Sequence, residues 1–277
     1  LSDLSGQSMR FLDMGPGTVI EDATFVERAR SVFLVGSIAS TGGGILIRAL
    51  LEADLDLGLI VASVTLHPDW VTRGFAVDAS RRRAVLYEDR NGTGRVVVLD
   101  LYTGAERAVR EVGHVPVTLS RRGLALDLER SEVFCAVGGF GARHDFLPVD
   151  AAGEDTPSAV LVLNADSLTV EATIPMPRAA GVRRLGLDRD SDRLVVLLEG
   201  IPSRIAVFGR SFRDYRGGVE LPDEVSDMDV AGGYAVAPGR DGIYLVDLDL
   251  MSWGLIRLPL GIPGPITRFS PQASALV

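Results

Sequence analysis

With 277 residues, 47% of them apolar and 23% charged, the chain has the material for one large hydrophobic core and shows neither disordered nor collagen-like bias. Its formal net charge of -9 argues against a general nucleic-acid or anionic-membrane binder, since both present basic surfaces. All 28 basic residues are arginine, so Schiff-base chemistry has no lysine amine to use.

In chain order, residues 1–17 are polar and glycine-punctuated apart from Met9-Arg10-Phe11-Leu12, which reads as one strand. The chain opens on Leu1 rather than Met, as a trimmed start would, and the compartment stays open between secreted and cytoplasmic. Ala23 to Val35 is a first copy of a unit that recurs: an apolar run closed by a turn-forming residue, a short turn, then a second apolar run. The uncharged stretch Ser31 to Ile47 contains Ser37, Ser40, Thr41 and Gly42-Gly43-Gly44, so it reads as two strands around a hairpin and not as a membrane helix of about 20 apolar residues. Because a strand follows the three glycines, they are not the start of a phosphate-cradling helix.

The clearest copy is Gly74-Phe75-Ala76-Val77-Asp78 with Ala84-Val85-Leu86-Tyr87. A third run, Val96 to Asp100, and a fourth, Ala108 to Val112, complete four strands. Gly123 to Asp127 with Val133 to Val137 is the next copy; Cys135, the single cysteine, sits within it and reads as a buried, inert thiol. The irregular stretch 138–157 carries Phe140, Arg143, His144, Asp145 and Phe146, either a functional cover or a solvated loop. Val160 to Asn164, then Leu185 to Asp188 with Leu194 to Leu198, resume the pattern. Asp188-Arg189-Asp190-Ser191-Asp192 mimics a calcium loop but lacks its glycine and distal glutamate, so a solvated turn is expected. Met228 to Val236, Ile243 to Asp247 and Gly254 to Leu258 form a fifth copy, and Ile266 to Val277 supplies about two strands of a sixth.

Taking Ala23, Gly74, Gly123, Leu185, Met228 and Ile266 as markers, the copies stand 51, 49, 62, 43 and 38 residues apart. Such a period with four antiparallel strands per copy predicts an all-β, six-bladed β-propeller over residues 1–277, its last blade closed by the N-terminal segment, since an incomplete blade would expose strand edges.

First strands line the channel of such a ring. The position five before each turn-forming residue gives Asp22, Arg73, Arg122, Arg183, Asp227 and Pro265, carboxylates and guanidinium groups that need partners. The blade-one segment Asp22-Ala23-Thr24-Phe25 with Phe33-Leu34-Val35-Gly36-Ser37, followed by Arg73 to Asp78, resembles the opening blades of the senescence-marker-protein and gluconolactonase family, within the calcium-dependent phosphotriesterase and strictosidine-synthase-like superfamily. That resemblance implies a hydrolase of the lactonase or esterase type with a divalent cation, calcium or another, in the channel. The cation would be held by a blade-one carboxylate falling on Asp22, a late aspartate falling on Asp227, or on Asp229 if the register slips, and two asparagines falling on Arg122 and Arg183. Arginine has no acceptor atom for a metal, so the arginines either pair with Asp22 and Asp227 in a metal-free mouth or bind an anionic small molecule through Arg73, Arg122 and Arg183. A protein partner across the face is the further reading.

The histidines are His67, His114 and His144, each in a connection. No Gly-x-Ser-x-Gly elbow accompanies them. His144 and His67 are the better catalytic candidates among them, with Glu88 beside His144 in a metal-free lyase reading.

Overall fold

A computed structural model describes residues 19–26, 30–39, 46–114, 123–138, 158–176, 181–211, 213–225 and 227–257. They form five four-stranded antiparallel sheets, each an up-and-down meander in chain order. The first holds β1 (Val19–Val26), β2 (Ser31–Ala39), β3 (Leu46–Asp54) and β4 (Leu59–Thr65). The second holds β5 (Val71–Asp78), β6 (Arg83–Arg90), β7 (Thr93–Asp100) and β8 (Glu106–His114). The third holds β9 (Leu124–Asp127), β10 (Glu132–Val137), β11 (Ala159–Asn164) and β12 (Val170–Pro175). The fourth holds β13 (Val182–Asp188), β14 (Arg193–Leu198), β15 (Ser203–Gly209) and β16 (Tyr215–Leu221). The fifth holds β17 (Asp229–Ala231), β18 (Tyr234–Pro238), β19 (Gly242–Asp247) and β20 (Ser252–Arg257).

The expected hairpins are therefore present, and the turn chemistry explains them. Asp78 Oδ1 accepts from the Arg81 amide at 3.2 Å and Asp127 Oδ1 from the Arg130 amide at 3.3 Å. Asp100, Asn164 and Asp247 close the third hairpins of their sheets, between third and fourth strands, through the same bond two and three residues on. The residue four after each of these takes a positive φ: Arg82 at 48°, Ser131 at 53°, Gly104 at 71°, Leu168 at 57° and Met251 at 48°. The fifth sheet's first hairpin turns instead on Gly232 and Gly233, φ 56° and 83°, which only glycine adopts freely at both positions.

The sheets are stacked around an axis. Their first strands, β1, β5, β9, β13 and β17, neighbour one another in turn. Apolar layers fill the interfaces: Phe33, Val35 and Leu50 with Phe75 and Leu86 between the first two sheets, one continuous cluster that joins Tyr87 and Val98 of the second with Phe134 and Leu161 of the third and Leu194 and Val196 of the fourth, and Leu197 and Ile205 with Tyr244 and Val246 between the last two. Hence β10, β14 and β15 are apolar on both faces: each face has a neighbouring sheet to cover it. At the end of the stack carrying the first hairpin turns, arginines cross between sheets. Arg83 donates to Ala165 O at 3.0 Å and pairs with Asp166, while Arg210 meets Asp127 at 3.2 Å and Glu129 at 3.0 Å. Asp188 and Asp192 are part of this network, Asp188 accepting from the Gly233 amide and Asp192 meeting Arg210 and Ser211, while Arg189 and Asp190 at the tip are exposed, so the stretch is a turn open to solvent at its tip and braced on both sides.

This is the blade geometry of a β-propeller. The described residues build five blades, not the six expected. The sixth copy at Ile266 to Val277 and the N-terminal segment expected to complete it lie outside the described residues. Six rests on a copy with only two short apolar runs, and a run marks a strand only when a partner is there to pair with it.

Candidate functional site

The end opposite the first hairpin turns is where the sequence places the mouth. A local irregularity dominates it. In the first, second and fourth sheets the ladder between first and second strands slips by one residue at the same place, between Ile20 and Asp22, Thr72 and Gly74, and Val182 and Arg184. The residues passed over are Glu21, Arg73 and Arg183. A β-bulge of this kind re-aims a side chain and is frequent beside binding sites.

Each bulged residue meets a residue at or near the end of the second strand of its own sheet. Arg73 Nε and Nη2 both reach Asp89 Oδ2, at 3.1 and 2.7 Å. Arg183 Nη2 lies 3.4 Å from Glu199 Oε1 and 2.5 Å from Glu224 Oε1, and its Nη1 donates to Val225 O at 3.3 Å. Glu21 accepts from Ser37 Oγ at 3.3 Å and pairs with Arg48 at 3.0 Å, which also donates to Thr72 Oγ1 at 3.1 Å. Ser37, Asp89 and Glu199 stand at the same offset, six residues after the start of their strands at Ser31, Arg83 and Arg193, a repeat signal that could have found all three.

The expected site residues fall out as follows. Glu21, not Asp22, stands at the position of Arg73 and Arg183. Asp22 is half-buried one residue on, its Oδ1 accepting from the Ala23 amide at 2.7 Å. Asp227 is held by Arg184, with Asp229 3.8 Å from the same guanidinium; the expected pairing of Asp227 with one of the three predicted arginines goes instead to the neighbour of Arg183. The bulge thus sends two adjacent arginines to different carboxylates. Arg122 and His144 lie outside the described residues, as does the His114 side chain. His67 is about half exposed, with Nδ1 accepting from the Asp69 amide at 3.3 Å. Glu88, 1% exposed, pairs with Arg95 at 2.7 Å; burial raises its carboxyl pKa against the opposing pull of Arg95. Arg95 in turn lies over the Trp70 ring at 4.3 Å, with Arg90 over the same ring at 4.8 Å. Cys135 is fully buried, and burial pushes its thiol far above the ordinary range.

These residues do not fit the divalent cation that the family resemblance implies. Arg183 brings donors only, Asp227 is neutralised by Arg184, and among the described residues no three His, Cys, Asp or Glu side chains converge as a ligand set.

Comparison with solved structures gives the architecture independently. A chain of the Kuenenia stuttgartiensis hydrazine synthase superposes over 86% of this chain and 71% of its own with a TM-score of 0.57 at 12% identity. A chain of a nidogen/laminin complex superposes over 81% of this chain and 74% of its own, with a TM-score of 0.54 at 14% identity. The shared feature is the β-propeller. At such identity the likeness carries the fold alone. No family model matches the sequence, and neither does any curated protein. Among the described residues no helix is long and apolar enough to cross a membrane.

Proposed function

We propose that this chain is a binding propeller without catalytic chemistry, taking a small anionic molecule at the mouth, with Arg73 as its anchor. The observation that carries the reading is the way Arg73 is held. Nε and Nη2 are fixed on Asp89, the side chain is 35% exposed, and the Nη1 edge points away from that carboxylate. A guanidinium fixed on one edge and open on the other is a preoriented donor for a carboxylate or phosphate. Arg183, by contrast, is spread over Glu199, Glu224 and Val225 O, and serves to fix the connection between the fourth and fifth sheets. The hydrolase alternative needs Asp22 and Asp227 as metal ligands, and the pairing of Asp227 with Arg184 weighs against it.

Thermal melting at low ionic strength with succinate, citrate and a sugar phosphate tests this. A saturable rise in Tm is expected with at least one of them, lost in Arg73→Gln and kept in Arg183→Gln after allowance for that variant's lower starting Tm. Absence of a saturable shift with every anion defeats the reading. So does calcium-dependent turnover of lactones or aryl esters that disappears in Asp227→Asn.

A further inference from the structure

The hairpins between third and fourth strands follow one plan in the first four sheets. The ladder passes over one residue of the fourth strand at the same place: Val61 in the first sheet, Arg107 in the second, Glu171 in the third and Arg216 in the fourth. In the second and third sheets the bulged side chain turns back onto the residue that closes the hairpin. Arg107 Nε donates to Asp100 Oδ2 at 2.9 Å, and Glu171 Oε1 accepts from Asn164 Nδ2 at 3.1 Å. Val61 has no polar group to offer, and Asp54 of its sheet has the charge of Arg30 nearby instead. The fifth sheet departs from the plan. Its ladder runs through without a slip, and the residue seven after Asp247, where Arg107 stands seven after Asp100, is Gly254, paired with Leu245. A Cβ at Gly254 would have nothing within 4 Å. Gly254 and Asp247 instead border a cavity of about 320 Å³, a size that takes a small organic molecule.

We propose that this cavity binds a small organic cation of the alkylguanidinium class. Charge and the repeat together name the ligand. Asp247 Oδ1 accepts from the amides of Asp249 and Leu250, both at 2.9 Å, and among the described residues the carboxylate makes no ion pair. Its counterpart in the second sheet is met by a guanidinium, whose planar fork suits a carboxylate edge better than an ammonium does. Ladder pairs place Tyr234, Asp247 and Ser252 in one row on one face of the sheet, with Leu245 and Gly254 in a further row on that face. A cation held on Asp247 therefore lies beside the Tyr234 ring, which is 41% exposed, and its alkyl stem runs along Leu245 and Ile256. The opposite face of the sheet, with Tyr244 and Val246, is committed to the fourth sheet. Asp247 stands at the end of the stack away from the mouth, so this site is separate from that of Arg73.

Isothermal titration of the whole chain with butylguanidine at low ionic strength tests it, with butylurea as the uncharged isostere. The expected result is saturable binding of butylguanidine and none of butylurea. Asp247→Asn should weaken binding about tenfold. Its Tm should stay near that of wild type, because Asn164 closes the equivalent hairpin of the third sheet through the same bonds. Gly254→Arg should fill the cavity from within and abolish binding. A wild-type chain that takes up no butylguanidine saturably overturns the proposal, and so does equal binding of butylurea. Affinity unchanged in either folded variant overturns it as well, since the cation would then sit elsewhere on an acidic surface. Should one variant fail to fold, the other and the comparison with butylurea decide. Arg73→Gln should bind butylguanidine as wild type does, which keeps this outcome separate from anion binding at the mouth; loss of binding there would move the cation to the mouth and defeat the proposal.

Discussion

Asp78 shows how much one repeated residue does. It is 2% exposed, its Oδ1 accepts from Ser80 Oγ at 2.6 Å and from the Arg81 amide, and its Oδ2 accepts from Arg83 Nε at 3.1 Å. Burial alone would raise its pKa, but these donors outweigh burial and hold the carboxyl below its ordinary value. The charged form therefore stabilises the fold above the ordinary carboxylate range, and that contribution is lost as pH falls through the lowered value. Asp78→Asn should cost about 2 kcal/mol at pH 7, and the gap to wild type, measured by urea unfolding, should close in strong acid. A gap that stays constant with pH would mean that the charge is not what matters. Cys135 makes the opposite case: nucleophilic thiol chemistry needs the thiolate, and burial on both sides of β10 suppresses it. Native protein should resist iodoacetamide at mildly alkaline pH and react at once in denaturant; rapid native alkylation would contradict the packing.

Among the elements, the hairpins were legible because their turns are written in side chains: an Asp or Asn that bonds two and three residues ahead leaves a mark that survives in sequence alone. The bulges were not legible. An extra residue in a ladder has no signature in apolar alternation, so Arg183 and Arg184 look interchangeable in sequence but part company in the fold. The shift from Asp22 to Glu21 has another cause: the count starts from Glu27, while the ladder itself ends on Val26 paired with Ser31. Close approach of the first strands was likewise hidden. Gly186 lies where a Cβ would come within 2.5 Å of Val230 Cγ2, on a β-branched side chain with little freedom to move. Gly186→Ala is expected to lower stability by about 1 to 3 kcal/mol, read from the urea midpoint at unchanged m-value; a neutral result would show that β13 and β17 are further apart.

For the whole molecule, periodicity announced the architecture but not the number of its parts. Spacing tells where a hairpin can begin; only pairing makes it a blade, and pairing is a property of residues far apart in number. The electrostatics of the mouth had the same limit. Lining up charges blade by blade predicts an excess of arginine, whereas the fold supplies Asp89, Glu199 and Glu224 from second strands and connections that the alignment of first strands leaves out. With Arg183 and Arg184 committed in this way, millimolar calcium should leave the Tm within error of its value in chelator, and a rise of several degrees would restore the metal-bound reading.

The chain-order meander within each sheet has a consequence for how the molecule is made. No described sheet borrows a strand from a distant part of the sequence, and each lies against the one made just before it. A nascent chain leaving the ribosome can therefore complete one sheet at a time, with a single greasy face waiting for the next arrival, so folding keeps pace with synthesis instead of following it.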